Sequence, residues 1–173
     1  MKHIWAPWRI HYLKGMSGKD GLGCLFCRVA RQRKDTKNLI VYRGPQTFVI
    51  LNKYPYNNGH ILIVPYMHTG SLSQLSSAVL SELMLQAQIF QEILKPLLHP
   101  DGWNIGMNIG KGAGAGIDKH IHMHVLPRWN GDTNFLPVLS ETKVISQSLE
   151  EFYSALSALV QRHKDMIDTR LNV

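Results

Sequence analysis

His120-Ile-His-Met-His-Val-Leu-Pro-Arg128 alternates imidazole with aliphatic side chains. Alternation of period two reads as a β-strand whose successive side chains point to opposite faces. The strand reading covers His120–Arg128. His120, His122 and His124 then share one face, with neighbouring side-chain origins ~6.6–6.8 Å apart. Ile121, Met123 and Val125 face the core. Just before this run lies Gly110-Lys-Gly-Ala-Gly-Ala-Gly116, seven residues with four glycines. Before that, Trp103–Ile109 reads as a partner strand.

Upstream, Asn38–Arg43 and Thr47–Leu51 flank a Gly44-Pro45 turn and read as a hairpin. Asn57-Asn58-Gly59 is a second turn, leading into the strand His60–Pro65. Leu72, Leu75, Val79, Leu83, Ala87, Phe90, Leu94 and Leu97 fall at spacings of three and four, one helix face. Pro96 and Pro100-Asp101-Gly102 are read as closing that helix. A short helix fits residues 24–33. Near the C-terminus Ser148 and Glu151 form a capping box, followed by the apolar stripe Leu149, Phe152, Leu156, Leu159 and Val160. The expected class is α+β: an antiparallel sheet of about five strands with helices packed on one face. The 173 residues suit one domain. It divides into an N-terminal arm (1–23), a core (24–130) and a C-terminal extension with a helix (131–173).

A hydrophobic fraction of 45% and a charged fraction of 18% exclude a disordered chain. The apolar runs, such as Ile61–Tyr66, fall far short of the ~18 residues of a membrane span. The first residues lack the pattern of a signal peptide, so the expected location is the cytoplasm. The net charge of +7 attracts anionic partners in general. The basic run Arg28, Arg31, Arg33, Lys34 and Lys37 has no interleaved aromatic for base stacking. It reads as a solvated face, and no nucleic-acid or membrane partner is expected.

Three aligned imidazoles allow two chemistries. They could hold a zinc ion that activates water. Alternatively, one neutral imidazole could attack phosphorus and form a covalent intermediate, with fixed donors around the phosphoryl oxygens. The glycine loop favours the second reading, because glycine lets backbone N–H groups approach an anion. The loop matches neither G-x-x-x-x-G-K-[ST] nor G-x-G-x-x-G, so a P-loop or Rossmann enzyme is unsupported. Cys24-Leu-Phe-Cys27 is compatible with a redox dithiol, half of a zinc site, or two buried thiols. His3, His11, His99 and His163 read as surface residues. Trp5, Trp8, Trp103 and Trp129 read as core or interface residues.

His120-Ile-His-Met-His-Val-Leu126 resembles the His-φ-His-φ-His-φ-φ signature of the histidine triad superfamily of nucleotide hydrolases and transferases. Asn52 with Asn58-Gly-His-Ile-Leu-Ile-Val-Pro65 is similar to the family strand that approaches the nucleotide. Trp5-Ala-Pro-Trp-Arg-Ile10 and Pro127-Arg-Trp-Asn-Gly-Asp-Thr-Asn-Phe135 resemble the branch containing diadenosine tetraphosphate phosphorylases. The resemblance implies an enzyme acting on dinucleoside polyphosphates. His122 would be the nucleophile, His124 would contact the phosphate and His60 would support them. Asn52 would hold the ribose, and Asn108 with Gly114, Ala115 and Gly116 would position phosphates. The family often has serine or glutamine at positions 115 and 116, so only backbone donors remain here. The resemblance also implies a structural zinc held by Cys24, Cys27, His68 and His120, no organic cofactor, and a homodimer with joined sheets. The rival activities are cleavage of nucleoside phosphoramidates or adenylylated conjugates, nucleotide binding with little turnover, and zinc hydrolysis using all three triad histidines.

Overall fold

The β-branched runs form the sheet in the computed structural model, which describes residues 23–132 and 147–171. The expectations for residues 1–22, including Trp5 and Trp8, and for Thr133–Phe135 lie outside the described residues. Strands β1 (Ile40–Arg43), β2 (Thr47–Leu51), β3 (Ile61–Pro65), β4 (Gly102–Met107) and β5 (Met123–Arg128) lie in the order β1-β2-β3-β5-β4. Every neighbouring pair is antiparallel. Helices α1 (Leu25–Gln32) and α2 (Asp35–Asn38) precede the sheet; α3 (Ser77–Leu98) separates β3 from β4. Helices α4 (Leu149–Arg162) and α5 (Lys164–Leu171) end the described chain.

β2 and β3 are buried at every position, so both faces of the sheet centre must be covered. Val49, Leu51, Ile61, Ile63, Ile121, Met123 and Val125 pack with Leu83, Phe90, Leu94, Phe152, Leu156 and Ile167 of α3, α4 and α5. On the other face Ile40, Phe48, Ile50, Leu62 and Val64 pack with Phe26 and Val29 of α1. The helices therefore occupy both faces rather than one. Cys24, the N-cap of α1, and Cys27 in its first turn lie on the face that holds the triad.

Several boundaries differ from the sequence reading. Asn38 belongs to the single turn α2, its N–H bonding to Lys34 O at 2.9 Å. Leu39 is left-handed with φ 61°, so the first strand starts at Ile40. Leu72–Gln74 is a separate 3₁₀ turn, and α3 begins after Ser76, whose hydroxyl accepts from Val79 N–H. Pro96 does not close α3. It sits in the last turn, where its missing N–H forfeits one bond; left-handed His99 ends the helix. α5 was not foreseen. Tyr42 Oη donates to Asp168 at 2.6 Å and Arg170 pairs with Glu92 at 2.6 Å, tying it down. The Ser148–Glu151 capping box forms as expected.

The expected histidine strand begins late. Its ladder opens at Met123, paired with Ile63 and Met107. Upstream of that point Ile121 N–H bonds to Thr69 O at 2.7 Å instead. Likewise β4 ends at Met107, not Ile109. Alternation nonetheless persists: Ile121, Met123 and Val125 enter the helix-side core.

Gly59 fixes the entry into β3. It has φ +75°, and a Cβ there would overlap Leu98 Cδ1 and lie 2.9 Å from Pro127 Cγ. Left-handed strain and overpacking together set the expected cost of Gly59→Ala at about 2–4 kcal/mol. Chemical denaturation checks this; a loss well under 1 kcal/mol would refute the close packing behind His60.

Candidate active site and metal centre

The three triad imidazoles are all buried, at 1%, 6% and 8% exposure for His120, His122 and His124. His122 Nδ1 lies 2.9 Å from the carbonyl oxygen of His120. A carbonyl only accepts, so Nδ1 carries the proton and the lone pair sits on Nε2. Phe26 packs against this ring at 5.1 Å. Burial holds His122 below the ordinary imidazole range, opposed by its bond to the His120 carbonyl and aided by the charge of His120. Burial thus favours the neutral form, which has a lone pair to give.

His124 is flanked across the sheet by Leu62 and Gly106. A Cβ on Gly106 would meet nothing within 4 Å, so that flank is open. His124 Nδ1 lies 2.8 Å from His60 Nε2. The Tyr56 ring stacks on His124 with centroids 5.7 Å apart and an interplanar angle of 14°. His60 Nδ1 accepts the Tyr56 backbone N–H at 3.1 Å. Asn52 Nδ2 lies over the same ring, 3.2 Å from Nδ1 and 3.5 Å from Nε2, while Asn52 Oδ1 accepts from Tyr54 N–H at 3.0 Å. The carboxamide expected to hold a ribose is therefore already engaged with the site's own groups. Its oxygen retains one lone pair.

Burial, followed by the charges of His124 and His122, pushes His60 down from 6.5 to about 2. Below pH ~6.5 the unfolded chain takes up a proton on this imidazole that the folded chain refuses, so the fold loses stability as pH falls. The slope approaches about 1.4 kcal/mol per pH unit for this one group. Denaturant titrations of wild type and His60→Gln, at about pH 7.5 and about pH 5.5, isolate it. The wild type is expected to lose more stability on acidification; equal losses would contradict the burial of an uncharged His60.

Asn108 directly follows Met107, the last residue of β4, which pairs with Met123. Asn108 is half-buried, and its amide makes no hydrogen bond among the described residues. The glycine loop folds as a 3₁₀ turn at Lys111–Ala113 between left-handed Gly110 (φ 79°) and Gly114 (φ 81°). The N–H groups of Ala113 and Ala115 bond to Gly110 O, and that of Gly114 to Lys111 O. Of the expected cradle Gly114–Gly116, only the Gly116 amide stays outside this internal turn.

Cys24, Cys27, His68 and His120 come together, with one donor atom from each lying within 4.8 Å of all the others. His120 Nδ1 is 3.2 Å from Cys24 Sγ, 3.6 Å from Cys27 Sγ and 3.2 Å from His68 Nδ1. His68 Nδ1 is 3.4 Å from Cys27 Sγ. Bond lengths of ~2.0–2.3 Å to zinc at tetrahedral angles put ligand atoms roughly 3.3–3.8 Å apart, so the set fits. His120 Nε2 donates to Pro65 O at 2.9 Å, turning the Nδ1 lone pair toward the sulfurs. That bond is the kind of outer contact that orients a metal-bound histidine. Burial tends to raise the Cys24 thiol, but its contact with His120 and the backbone at Cys27 and Phe26 bring it to about 6. Burial and the neighbouring Cys24 raise Cys27. No disulfide joins them.

His120 therefore belongs to the candidate metal cluster through its ring and to His122 through its carbonyl. Sequence reasoning missed Phe26, the Pro65 carbonyl and the Tyr56 amide. His99 and His163 are exposed as expected, and Trp103 and Trp129 are half-buried. Arg31, Arg33, Lys34 and Lys37 are exposed and Arg28 half-buried, in keeping with a solvated face. No described helix is long and apolar enough to cross a membrane.

A five-stranded antiparallel sheet carrying a buried histidine cluster at its centre defines a class, and the comparisons agree. Residues 33–131 match the HIT domain, and the chain belongs to this histidine triad family of nucleotide hydrolases and transferases. A relative from Mycobacterium tuberculosis, "AP-4-A phosphorylase", is 34% identical over 157 residues, 87% of this chain and 80% of that protein. Its likeness supports placement in the phosphorylase-like branch. Arabidopsis thaliana "Adenylylsulfatase HINT3" is 27% identical over 140 residues, 81% of this chain and 68% of that protein. Among solved structures, a Zn-bound histidine triad family protein from Mycobacterium smegmatis superposes with a TM-score of 0.64 at 26% identity. That match covers 83% of this chain and 97% of the other.

Proposed function

We propose that the chain transfers nucleotidyl groups from a dinucleoside polyphosphate of the diadenosine tetraphosphate type, through a covalent intermediate on His122. The observation that carries this reading is the His122 Nδ1 bond to the His120 carbonyl, which leaves Nε2 as the lone-pair nitrogen. Likeness to the mycobacterial phosphorylase supports the substrate class. His122 Nε2 attacks the α-phosphorus, an N–P bond forms, and the P–O bond to the departing nucleoside triphosphate breaks. Phosphate or water then attacks the same phosphorus, and the N–P bond breaks to release the nucleotide and restore the imidazole. His124 and Asn108 contact the phosphoryl oxygens, and the Gly116 amide adds a backbone donor. Asn52 Oδ1 offers its remaining lone pair to a ribose hydroxyl. His60 supports His124.

Zinc in the Cys24–Cys27–His68–His120 cluster would have four protein ligands and no open position, so its contribution is to hold α1 against the triad segment. The Zn-bound mycobacterial protein supports this choice of metal. Core and extension act as one unit, since α4 and α5 share the core of the sheet. A homodimer forms along β4, an edge strand whose Asn104, Ile105 and Gly106 are exposed.

Incubation with diadenosine tetraphosphate, with and without inorganic phosphate, tests the reading. ADP with ATP indicates phosphorolysis; AMP with ATP indicates hydrolysis. No cleavage of any dinucleoside polyphosphate, by protein that is folded and metal-loaded, would overturn it.

A further inference from the structure

His60 is 2% exposed and does not adjoin the reacting nitrogen, yet its ring is held by contacts on both nitrogens. A neutral imidazole has one N–H and one lone pair, and each hydrogen bond it makes decides which nitrogen holds which. Its Nδ1 faces the Tyr56 backbone N–H at 3.1 Å, a group that can only donate. Asn52 Nδ2 lies 3.2 Å from Nδ1 and 3.5 Å from Nε2, close to both, so it does not choose between them. The Asn52 orientation follows from its oxygen accepting Tyr54 N–H. The lone pair of His60 therefore sits on Nδ1 and its proton on Nε2. That Nε2–H points at His124 Nδ1, 2.8 Å away.

We infer that the backbone N–H of Tyr56, relayed through His60, fixes His124 as the Nε2–H tautomer and so makes it a hydrogen-bond donor rather than a second base. The opposite polarity would set a His60 Nδ1–H against the Tyr56 N–H. A second proton on His124, at Nδ1, would meet the His60 Nε2–H. The Tyr56 ring, 4.7 Å from His60 and stacked on His124, keeps the segment in place while its amide sets the polarity. His122 has the reverse arrangement, with its proton on Nδ1 and its lone pair on Nε2. The two rings are neighbours, with centroids 5.0 Å apart. One offers an electron pair and the other a proton donor. In the nucleotidyl-transfer reading, on which this last step alone rests, His122 attacks phosphorus. The His124 N–H meanwhile bonds to a phosphoryl oxygen as charge grows there. No proton need leave His124. Tyr56 and His60 are positioning residues in this scheme.

Two-bond ¹H–¹⁵N correlation spectra of ¹⁵N-histidine-labelled, metal-loaded protein distinguish protonated from lone-pair ring nitrogens. His→Gln variants at single positions assign the signals. The expected result is a proton on Nε2 in His60 and His124 and on Nδ1 in His122. A proton on Nδ1 of either His60 or His124 overturns the inference. Tyr56→Pro deletes the amide donor and should turn His124 into a mixture of tautomers, whereas Tyr56→Phe should keep the single form. Under turnover, Tyr56→Pro should lower kcat in proportion to the competent tautomer lost, with KM little changed. A single Nε2–H form of His124 in folded Tyr56→Pro overturns the relay. If that variant does not fold, His60→Gln and His60→Leu decide. Glutamine can accept from Tyr56 and donate to His124, so the Nε2–H form should persist; leucine should give a mixture, and a single form with leucine overturns the relay. These spectra need no substrate, so failure to cleave dinucleoside polyphosphates would leave them standing, and a wrong tautomer would not touch the substrate assignment.

Discussion

Replacing His122 by alanine is expected to lower turnover by at least ~10⁴-fold, the scale seen when a covalent nucleophile is removed. Nucleotide affinity should stay within a few-fold, because the proposed contacts to phosphate and ribose come from other residues. The reason is the division of labour in the site. His122 Nε2 alone combines a lone pair, fixed by the Nδ1 bond to the His120 carbonyl, with burial that keeps the ring uncharged. His124 does not replace it, since its Nδ1 is engaged by His60. Single-turnover kinetics and equilibrium nucleotide binding measure the two quantities separately. Residual turnover within tenfold of wild type would remove His122 from the reaction. Loss of binding in parallel with loss of turnover would make the variant a folding defect rather than a chemical one, which a melting curve identifies.

The second large effect concerns the metal centre. Wild-type protein is expected to carry about one zinc per chain, and Cys24→Ser to lose it, because all four ligands are needed to complete the tetrahedron. Metal binding is coupled to folding, and the cluster joins residues 24 and 27 to residues 68 and 120 across the molecule. A loss of several kcal/mol corresponds to a fall in melting temperature on the order of 10 °C for a domain of this size. At temperatures well below that transition, turnover per folded molecule should survive within a few-fold, because no step uses a metal-bound water. Zinc content, melting temperature and turnover are measured together. Full zinc retention by Cys24→Ser would reject the four-ligand site. Chelation that stops catalysis without moving the melting temperature would reject the histidine nucleophile in favour of metal-assisted hydrolysis.

The sheet was legible because its strands announce themselves. Thr47–Leu51 and Ile61–Pro65 are β-branched apolar runs bounded by turn residues, and both form where expected. The triad face was legible from alternation alone, even though hydrogen-bonded pairing starts only at Met123. What escaped were features set by tertiary contacts. α5 packs through Ile167 and Leu171, and its tie to Tyr42 spans 126 residues of sequence. Pro96 reads as a stop in isolation, yet the helix runs on to Leu98. Cys24 and Cys27 were visible as a pair, but spacing alone left a metal, a redox dithiol and buried thiols all open. Only the family resemblance named His68 and His120, which lie 41 and 96 residues away from their thiol partners. The amides of Tyr54 and Tyr56 and the carbonyls of His120 and Pro65 orient four side chains. Nearly every residue has such backbone groups, proline alone lacking the N–H, so no sequence pattern marks the ones that matter. The same limit applied to the glycine loop. Its composition suggested inward N–H groups, whereas those of Ala113, Gly114 and Ala115 close its own turn.

The proposed reaction requires a covalent bond between His122 and phosphorus. Its most direct test is rapid mixing with diadenosine tetraphosphate, quenching in alkali, where a phosphoramidate survives, and mass spectrometry of the intact and digested chain. An adenylyl group is expected on the peptide containing His122, appearing within a single turnover and disappearing as the substrate is exhausted. No adduct is expected in His122→Ala. Cleavage of the substrate at the wild-type rate with no adduct at any time, or an adduct carried by another residue, would contradict it.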